Sequence, residues 1–165
     1  MKRVKSTIII LLVLVTVILP GCQDFLDEEL QGERSDQQFY QTANDAELAI
    51  TGVYNVLTFA NSDNRIWVFG DVASDDAAKG GIPGDQADIG LIDDFNVSTD
   101  NGNLEQVWTL YYEGVSRANK LLDKIDGIDM DAERRNQIKG EAKFLRAYFY
   151  YWLVNIFGDI PVHLT

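Results

Sequence analysis

The sequence predicts an all-α protein in which antiparallel helix pairs are interrupted by one long irregular loop. Apolar residues recur at helical spacing in three stretches between residues 42 and 157. Only a short acidic turn through Gly127 separates the second stretch from the third, which favours an antiparallel pair. Residues 59–102, between the first stretch and the second, have no sustained period and are therefore the expected loop.

The first 21 residues have the layout of an export signal. Basic residues at positions 2, 3 and 5 precede an apolar run over residues 8–19 that contains one polar residue, Thr16. As a helix this run would span about 18 Å, well short of the ~30 Å hydrocarbon core of a bilayer. We therefore expect residues 1–21 to be a signal peptide and not a transmembrane helix.

The only cysteine of the chain, Cys22, follows this segment directly. The sequence Leu19-Pro20-Gly21-Cys22 is similar to a bacterial lipobox, so we expect a diacylglyceryl group on Cys22 and cleavage before it. Several acyl chains make an anchor that does not readily dissociate. The alternative is a secreted protein with a free thiol, and neither case offers an intrachain disulfide. Residues 22–41 are polar and acidic without periodicity, and we expect them to be a flexible, lipidated tether.

The composition limits the possible partners. Removal of residues 1–21 takes away three basic residues and no acidic ones, which moves the formal net charge from −12 to −15. Such a charge repels phosphates, so it argues against nucleic acid and against a positively charged lipid-binding surface. The eighteen aromatic residues argue against a disordered acidic tail.

Two potential capping boxes mark the start of the first helix. Thr42 with Asp45, and Asn44 with Glu47, have the required three-residue spacing, so the helix is expected to begin at residue 42 or 44. The apolar spacing then continues to residue 58.

The loop over residues 59–102 holds six of the 13 glycines and nine carboxylates. A structureless connection of that length is unusual inside a compact domain. We therefore expect a functional, partly ordered loop, with short strands at residues 66–69 and 89–95.

The apolar stripes predict the second helix over residues 103–125 and the third over residues 131–157, where Gly158 acts as a C-terminal cap. The second half of the third helix is apolar almost all round, which is typical of a buried helix. The second helix covers one face only. We therefore expect a C-terminal continuation to cover the rest, so that residues 42–165 are the N-terminal part of a larger domain. The apolar residues 148–157 are too few to span a membrane.

The third helix and the residues after it carry a resemblance to a known family. Residues 140–147 (GEAKFLRA) and 157–161 (FGDIP) resemble the most characteristic stretch of SusD/RagB proteins. Residues elsewhere agree with this resemblance: Phe25-Leu26-Asp27, Phe39, Gly52, Val53, Tyr54, Ser74, Asp75, Trp108, Tyr112, Gly114, Val115, Ala118, Asn119, Tyr150, Leu153 and Val154. The likeness runs along the whole chain but covers only about the first third of a typical member.

By this resemblance, the chain is the N-terminal part of a SusD-like fold, a bundle of helix pairs similar to tetratricopeptide repeats. The resemblance also implies an outer-membrane lipoprotein on the cell surface, placed over a TonB-dependent, SusC-like transporter. Its ligand would be an oligosaccharide that is captured for uptake. The resemblance implies neither a cofactor nor a catalytic residue.

The long loop contains the candidate ligand-binding residues. Sugar rings have apolar faces and a rim of hydroxyls, so their sites combine aromatic planes with amides or carboxylates. Eight loop residues offer these groups, in a region where the resemblance implies ligand contacts: Trp67, Phe69, Asp71, Asp75, Asp76, Phe95, Asn96 and Asn101. Alternatively, Trp67 and Phe69 form the core face of a strand, and Ser74 with Asp75 caps a turn. Further ligand contacts are expected beyond Thr165.

Other polar residues do not predict a catalytic or metal site. The adjacent pairs Asp75-Asp76 and Asp93-Asp94 set no carboxylate separation of the kind that glycosidases need. The loop also lacks the glycine and glutamate offsets of an EF-hand. Arg146 is expected to pair with a loop carboxylate or a backbone carbonyl.

Three functional classes remain. A glycan-binding lipoprotein that works with a transporter is favoured. A lipid-anchored helical-repeat scaffold that binds a peptide or protein is the alternative, and retention by glycans distinguishes the two. A surface hydrolase is the third class, and it would be recognised by its reaction products.

Overall fold

The computed structural model describes residues 39–58 and 66–165. The first helix, α1, spans Ala43–Tyr54 and continues into a 3₁₀ turn at Asn55–Leu57. A π-helical turn, Val68–Val72, and a short helix α2, Ala87–Asp93, lie in the expected loop. The signal peptide, the lipidation residue Cys22 and most of the tether lie outside the described residues.

Two long helices complete the architecture. Helix α3 spans Gly102–Lys124 and helix α4 spans Ala132–Phe157, with a 3₁₀ turn at Ile125–Gly127 between them. The described ranges contain no strand, and their one β-bridge is an isolated parallel pair between Thr42 and Asp129. The all-α prediction is therefore confirmed for these residues. None of the described helices is long and apolar enough to cross a membrane.

Local capping groups set the ends of the long helices. At α1, the Asp45 backbone N–H donates to Thr42 Oγ1 over 3.3 Å, and the Thr42 N–H donates to Asp45 Oδ2 over 2.9 Å. This reciprocal pair is the capping box expected from the sequence, and it gives side-chain acceptors to two backbone N–H groups at the start of the helix. Asp131 caps α4 in a similar way, and Gly158 ends that helix with a φ of 74°, which only glycine adopts at no steric cost.

Helices α3 and α4 form the expected antiparallel pair. Trp108, near the start of α3, contacts Phe157 at the end of α4, with ring centroids 5.0 Å apart. One turn further along α3, Tyr111 faces Phe149 at 5.6 Å. Gly114 allows this close approach, because a Cβ at that position would lie 2.5 Å from Phe149 Cε2. The closest packing of the core is therefore centred on Phe149, which is fully buried.

Helix α1 packs across this pair and completes the main core. Its apolar residues join those of α3 and α4 in one buried cluster, which includes Ile50, Val53, Val56, Val107, Val115, Leu121, Ile138, Ala142, Leu145 and Leu153. Arg134 of α4 also binds Glu47 of α1 in a bidentate arrangement, with both N···O distances 2.6 Å. These hydrogen bonds lower the pKa of the Glu47 carboxyl.

The strands expected at residues 66–69 and 89–95 are wrong. Residues 66–72 are helical, and α2 occupies residues 87–93. Val68 and Val72 pack against Ile89 and Ile92 in a second buried cluster. The spacing of four residues in one segment and three in the other places the apolar side chains on one side of a helical turn, whereas a strand would need alternation. The expectation of a partly ordered loop is confirmed for residues 66–101.

The second half of α4 is buried on one side only. Phe149 and Leu153 are fully buried and Trp152 is half-buried, but Phe144, Tyr151 and Val154 are exposed. Within the described residues α4 is therefore covered on one side, as expected if helix α3 covers one face only. That further protein covers the exposed residues stays a prediction.

The segment after α4 returns along the α3–α4 pair. The Tyr112 hydroxyl donates to the Pro161 carbonyl over 2.7 Å, and Asn119 Nδ2 donates to the His163 carbonyl over 2.9 Å. Arg146 Nη1 donates to Asn119 Oδ1 and, over 3.4 Å, to the Leu164 carbonyl. The expectation that Arg146 pairs with a backbone carbonyl is thus confirmed.

Candidate functional site

The π-helical turn presents an aromatic ring and a carboxylate together. Val68 and Val72 are buried in the second cluster, which fixes the side of the turn that faces the protein. Trp67 and Asp71 also lie four residues apart, so both are on one side of the same turn. This side is next to the one that carries Val68 and Val72. Trp67 is 42% exposed, and Asp71 is exposed as well. This side therefore offers an apolar plane next to a hydrogen-bond acceptor.

The residues directly after this turn form a compact bend. The Ser74 hydroxyl donates to the Asp71 carbonyl over 2.6 Å and accepts from the Asp76 backbone N–H over 3.2 Å. Ser74 therefore braces the chain, as the turn-cap alternative expected. Asp75 and Asp76 are exposed on this bend, and their carboxylates are accessible to a ligand.

Phe95 follows α2 in an unusual conformation. Its φ is +50°, in the left-handed region that bulky residues rarely adopt, and its side chain is 75% exposed. Two backbone hydrogen bonds hold the chain there, from Phe95 N–H to the Ile92 carbonyl and from Asn96 N–H to the Leu91 carbonyl. An exposed aromatic ring on strained backbone is a feature found at functional sites. Asn96 is also exposed.

Two of the candidate residues have structural positions inside the loop. Asn101 is 2% exposed, and its side chain accepts from the Asn103 N–H and donates to the Asp88 carbonyl. It therefore caps α3 and ties α2 to it. Phe69 is half-buried and contacts both apolar clusters. A ligand role for these two residues stays a prediction. Their contacts within the protein give each of them a structural role.

Packing joins two segments of the loop, the π-helical turn and α2, into one small unit. The second apolar cluster joins the π-helical turn to α2. Polar contacts close the same unit, since the Lys79 N–H donates to Asp93 Oδ2 over 2.9 Å and the Gly102 N–H donates to Asp88 Oδ2 over 3.2 Å. The turn that carries Trp67 and the end of α2 that precedes Phe95 thus belong to one folded region.

This region is strongly acidic. Residues 66–101 contain eight aspartates and one basic residue, Lys79. Such a balance repels polyanions and leaves carboxylates as acceptors for hydroxyl groups. In the part of the chain that the structure describes, no group of three or more His, Cys, Asp or Glu side chains could hold a metal ion.

A cleft that the sequence did not reveal lies beside the end of α4. Its volume is about 490 Å³, and it is lined by Tyr150, Tyr151, Val154, Asp159, Ile160 and Val162. The walls are mainly apolar, with the Asp159 carboxylate as the charged group. The cleft exists because the segment after α4 folds back, and long-range hydrogen bonds determine that path. No local sequence pattern could have indicated it.

Comparisons with known proteins agree with the helical architecture. Residues 24–165 match a SusD-like family described as starch-binding and associating with the outer membrane. The chain is 31% identical over 161 residues to SusD-like protein P2 of Formosa agariphila, an alignment that covers 98% of this chain and 31% of the relative.

Two further relatives give the same result. SusD-like protein P38 of Formosa agariphila is 28% identical, with 98% of this chain and 31% of the relative covered. A SusD-like protein of Bacteroides ovatus is 27% identical, with 91% of this chain and 28% of the relative covered. The chain thus spans about a third of the length of the curated relatives that it matches. No solved structure matches it.

Proposed function

Because this chain belongs to the SusD-like family, we propose that it is part of a cell-surface lipoprotein that captures an oligosaccharide and passes it to a TonB-dependent, SusC-like transporter. In this proposal the protein binds its ligand and does not alter it. The family description names starch binding and the outer membrane, which supports both the ligand class and the location.

The observation that carries the proposal is the exposed pair of Trp67 and Asp71 on the π-helical turn. A sugar ring stacked on the indole would cover roughly 80–100 Å² of apolar surface, which is worth about 2 kcal/mol at 25 cal/mol per Å². The neighbouring carboxylate accepts hydrogen bonds from ring hydroxyls. Contacts of this strength suit a protein that must release its ligand to a transporter.

The acidic surface narrows the ligand class further. Eight aspartates in residues 66–101 would repel sulfated or uronic-acid glycans, whereas an uncharged glycan is not repelled. A neutral α-glucan, the class to which starch belongs, fits both this charge and the family description. Phe95, Asn96, Asp75 and Asp76 are the further contacts that we propose on the same folded region.

Affinity electrophoresis in gels that contain soluble starch tests this function. We expect retardation of the wild-type protein and its loss in Trp67→Ala. Phe144→Ala is the matched control, because Phe144 is also an exposed aromatic residue but lies on α4, outside the loop. A neutral-glucan gel that retards neither protein, or that retards Trp67→Ala and wild type equally, would contradict the proposed site.

The proposed anchor has its own test. Acylation of Cys22 would hold the protein on the outer membrane through a tether formed by the residues before α1. Cys22→Ala is expected to lack the diacylglyceryl mass and to leave the outer-membrane fraction, as measured by mass spectrometry and fractionation. Detection of the variant on the cell surface would oppose the anchor.

One observation favours a second candidate function. The cleft lined by Tyr151 and Val154 is mainly apolar, and such a surface also suits the side chains of a peptide. The chain would then act as a lipid-anchored helical scaffold for a peptide or protein partner. Binding of peptides without retention by any glycan is the result that would favour this alternative.

A further inference from the structure

The π-helical turn packs against the main core and lies close to α4. Ile66 and Phe69 pack against the main core, and Phe69 also contacts the second cluster. Gly70 of the turn lies close to α4, because a Cβ at this position would lie 4.0 Å from Trp152 Cη2. A methyl group would make an ordinary van der Waals contact there. Any larger side chain extending toward the indole would have to displace either the turn or Trp152.

Trp152 is itself held firmly in α4. It is half-buried, and its neighbour Leu153 is fully buried in the main core. Its ring packs edge-on against Tyr151 at 5.6 Å and Tyr148 at 6.5 Å. The indole nitrogen is buried and has no hydrogen-bond partner among residues 39–58 and 66–165. The contribution of Trp152 at this contact is therefore its shape rather than a hydrogen bond.

The turn depends on such outside support. A helical segment as short as residues 66–72 is not stable by itself, so tertiary packing must fix its position. The second cluster supports one side through Val68 and Val72. Ile66 and Phe69 pack the turn against the main core, and Trp152 lies close to Gly70. Trp67 and Asp71 lie on the same turn, so these neighbours together set their position relative to the rest of the protein.

We infer that Gly70 and Trp152 are positioning residues for the glycan-binding pair Trp67 and Asp71. This inference rests on the proposed function and adds residues to it. Neither Gly70, which has no side chain, nor the half-buried Trp152 needs to touch the sugar. The close approach of Gly70 to Trp152 limits the height of the turn above α4, and thereby the direction in which the indole and the carboxylate of the pair are presented.

The test compares three glycine variants of the full chain. Gly70→Ala adds only a methyl group at ordinary contact distance, so it should bind glucan as the wild type does. Gly70→Leu should weaken binding by about tenfold or more, a change that corresponds to a modest loss of contact energy. Gly80→Leu is the matched control in the same loop, because nothing lies within 4 Å of a Cβ at Gly80.

A spectroscopic measurement separates positioning from general destabilisation. In protein labelled with 5-fluorotryptophan, the Trp152 resonance is assigned by its absence in Trp152→Phe. That resonance should move in Gly70→Leu and stay in place in Gly80→Leu, with the helical circular dichroism unchanged. A Trp152 resonance that is unmoved in a folded Gly70→Leu protein would overturn the inference.

The remaining outcomes are also decisive. If Gly70→Leu fails to fold, Trp152→Leu removes the support without crowding the turn, and the inference requires the same loss of affinity. If Trp67→Ala weakens binding but Gly70→Leu and Trp152→Leu do not, the positioning role fails while the proposed function stands. If Trp67→Ala binds normally, the proposed site itself fails.

Discussion

Arg146 Nη1 lies 2.6 Å from Oδ1 of Asn119, and this pair joins α4 to α3 beside the segment that follows α4. Both residues belong to the stretches that resemble the SusD/RagB family. Asn119 also donates to the His163 carbonyl, and Arg146 donates to the Leu164 carbonyl. Tyr150 adds a hydroxyl that donates to the His163 carbonyl and accepts from its N–H, both over 2.7 Å. These family-like residues thus hold the backbone segment that follows α4.

Asn119→Ala is expected to lower the free energy of unfolding by about 1–3 kcal/mol, because it removes the partly buried hydrogen bonds that Asn119 makes with Arg146 and His163. Urea denaturation followed by circular dichroism measures this change. Ser116→Ala, at an exposed position of the same helix, should alter stability by no more than about 0.5 kcal/mol. Equal stability of the two variants would show that the pair contributes nothing to the fold.

Gly114→Ala is expected to destabilise the protein by about 1–3 kcal/mol, because the new Cβ overlaps the Phe149 ring and forces the two helices apart. Gly140→Ala is the matched control, since nothing lies within 4 Å of a Cβ there. That control should be neutral or slightly stabilising, as alanine favours a helix over glycine. Thermal melts of both variants, and of the double variant Gly114→Ala with Phe149→Leu, check the argument. Shortening the ring should recover part of the loss.

Phe95→Asn separates stability from binding. Asparagine tolerates the left-handed backbone that strains phenylalanine at φ +50°, so the melting temperature should stay equal or rise. If the exposed ring contacts glycan, affinity in starch gels should fall at the same time. Phe144→Asn serves as the control for loss of an exposed ring. A variant of Phe95 with unchanged retardation would remove this residue from the proposed site.

Stability should fall in acid partly through Glu47. The hydrogen bond from Arg134 lowers the pKa of this carboxyl from its ordinary value of 4.5. Because folding lowers this pKa, the ion pair contributes its full stabilisation above the ordinary, unfolded-state pKa. That contribution is lost as the pH falls through the lower, folded-state pKa. Glu47→Gln should therefore lose less stability than the wild type between about pH 6 and about pH 3. The difference should be small and should shrink in high salt, because the pair is partly exposed. Identical pH profiles would exclude this contribution.

Local signals explain which parts of the fold could be predicted. The Thr42–Asp45 box and Gly158 act through neighbouring backbone groups, so they set helix ends correctly without tertiary information. The apolar residues around Val68 and Ile89 were misassigned to strands, because short β-branched runs fit either structure until their partner is known. Here each segment packs against another helical turn, and the periodicity within either segment does not indicate that partner.

The candidate site was predictable by residue type but not by role. Trp67, Asp71 and Phe95 were expected as ligand contacts, and they are exposed in the folded loop. Asn101 was expected in the same group, but its burial depends on Asp88, which lies thirteen residues away along the chain. The cleft beside Tyr151 and the closeness of Gly70 to Trp152 arise from packing between distant segments. Relationships of this kind cannot be predicted from local sequence patterns, because the residues involved are far apart along the chain.

The isolated bridge between Thr42 and Asp129 determines where the chain enters the bundle. Asp129 lies in the α3–α4 connection, so α1 begins at the end of the bundle where that connection lies. Helix α4 has 26 residues and is therefore about 39 Å long. The C-terminal end of α4 lies at the opposite end of the bundle, together with the start of α3 and the loop that precedes α3. The entry of the chain into α1 and the folded loop region that carries Trp67 therefore lie at opposite ends of the bundle.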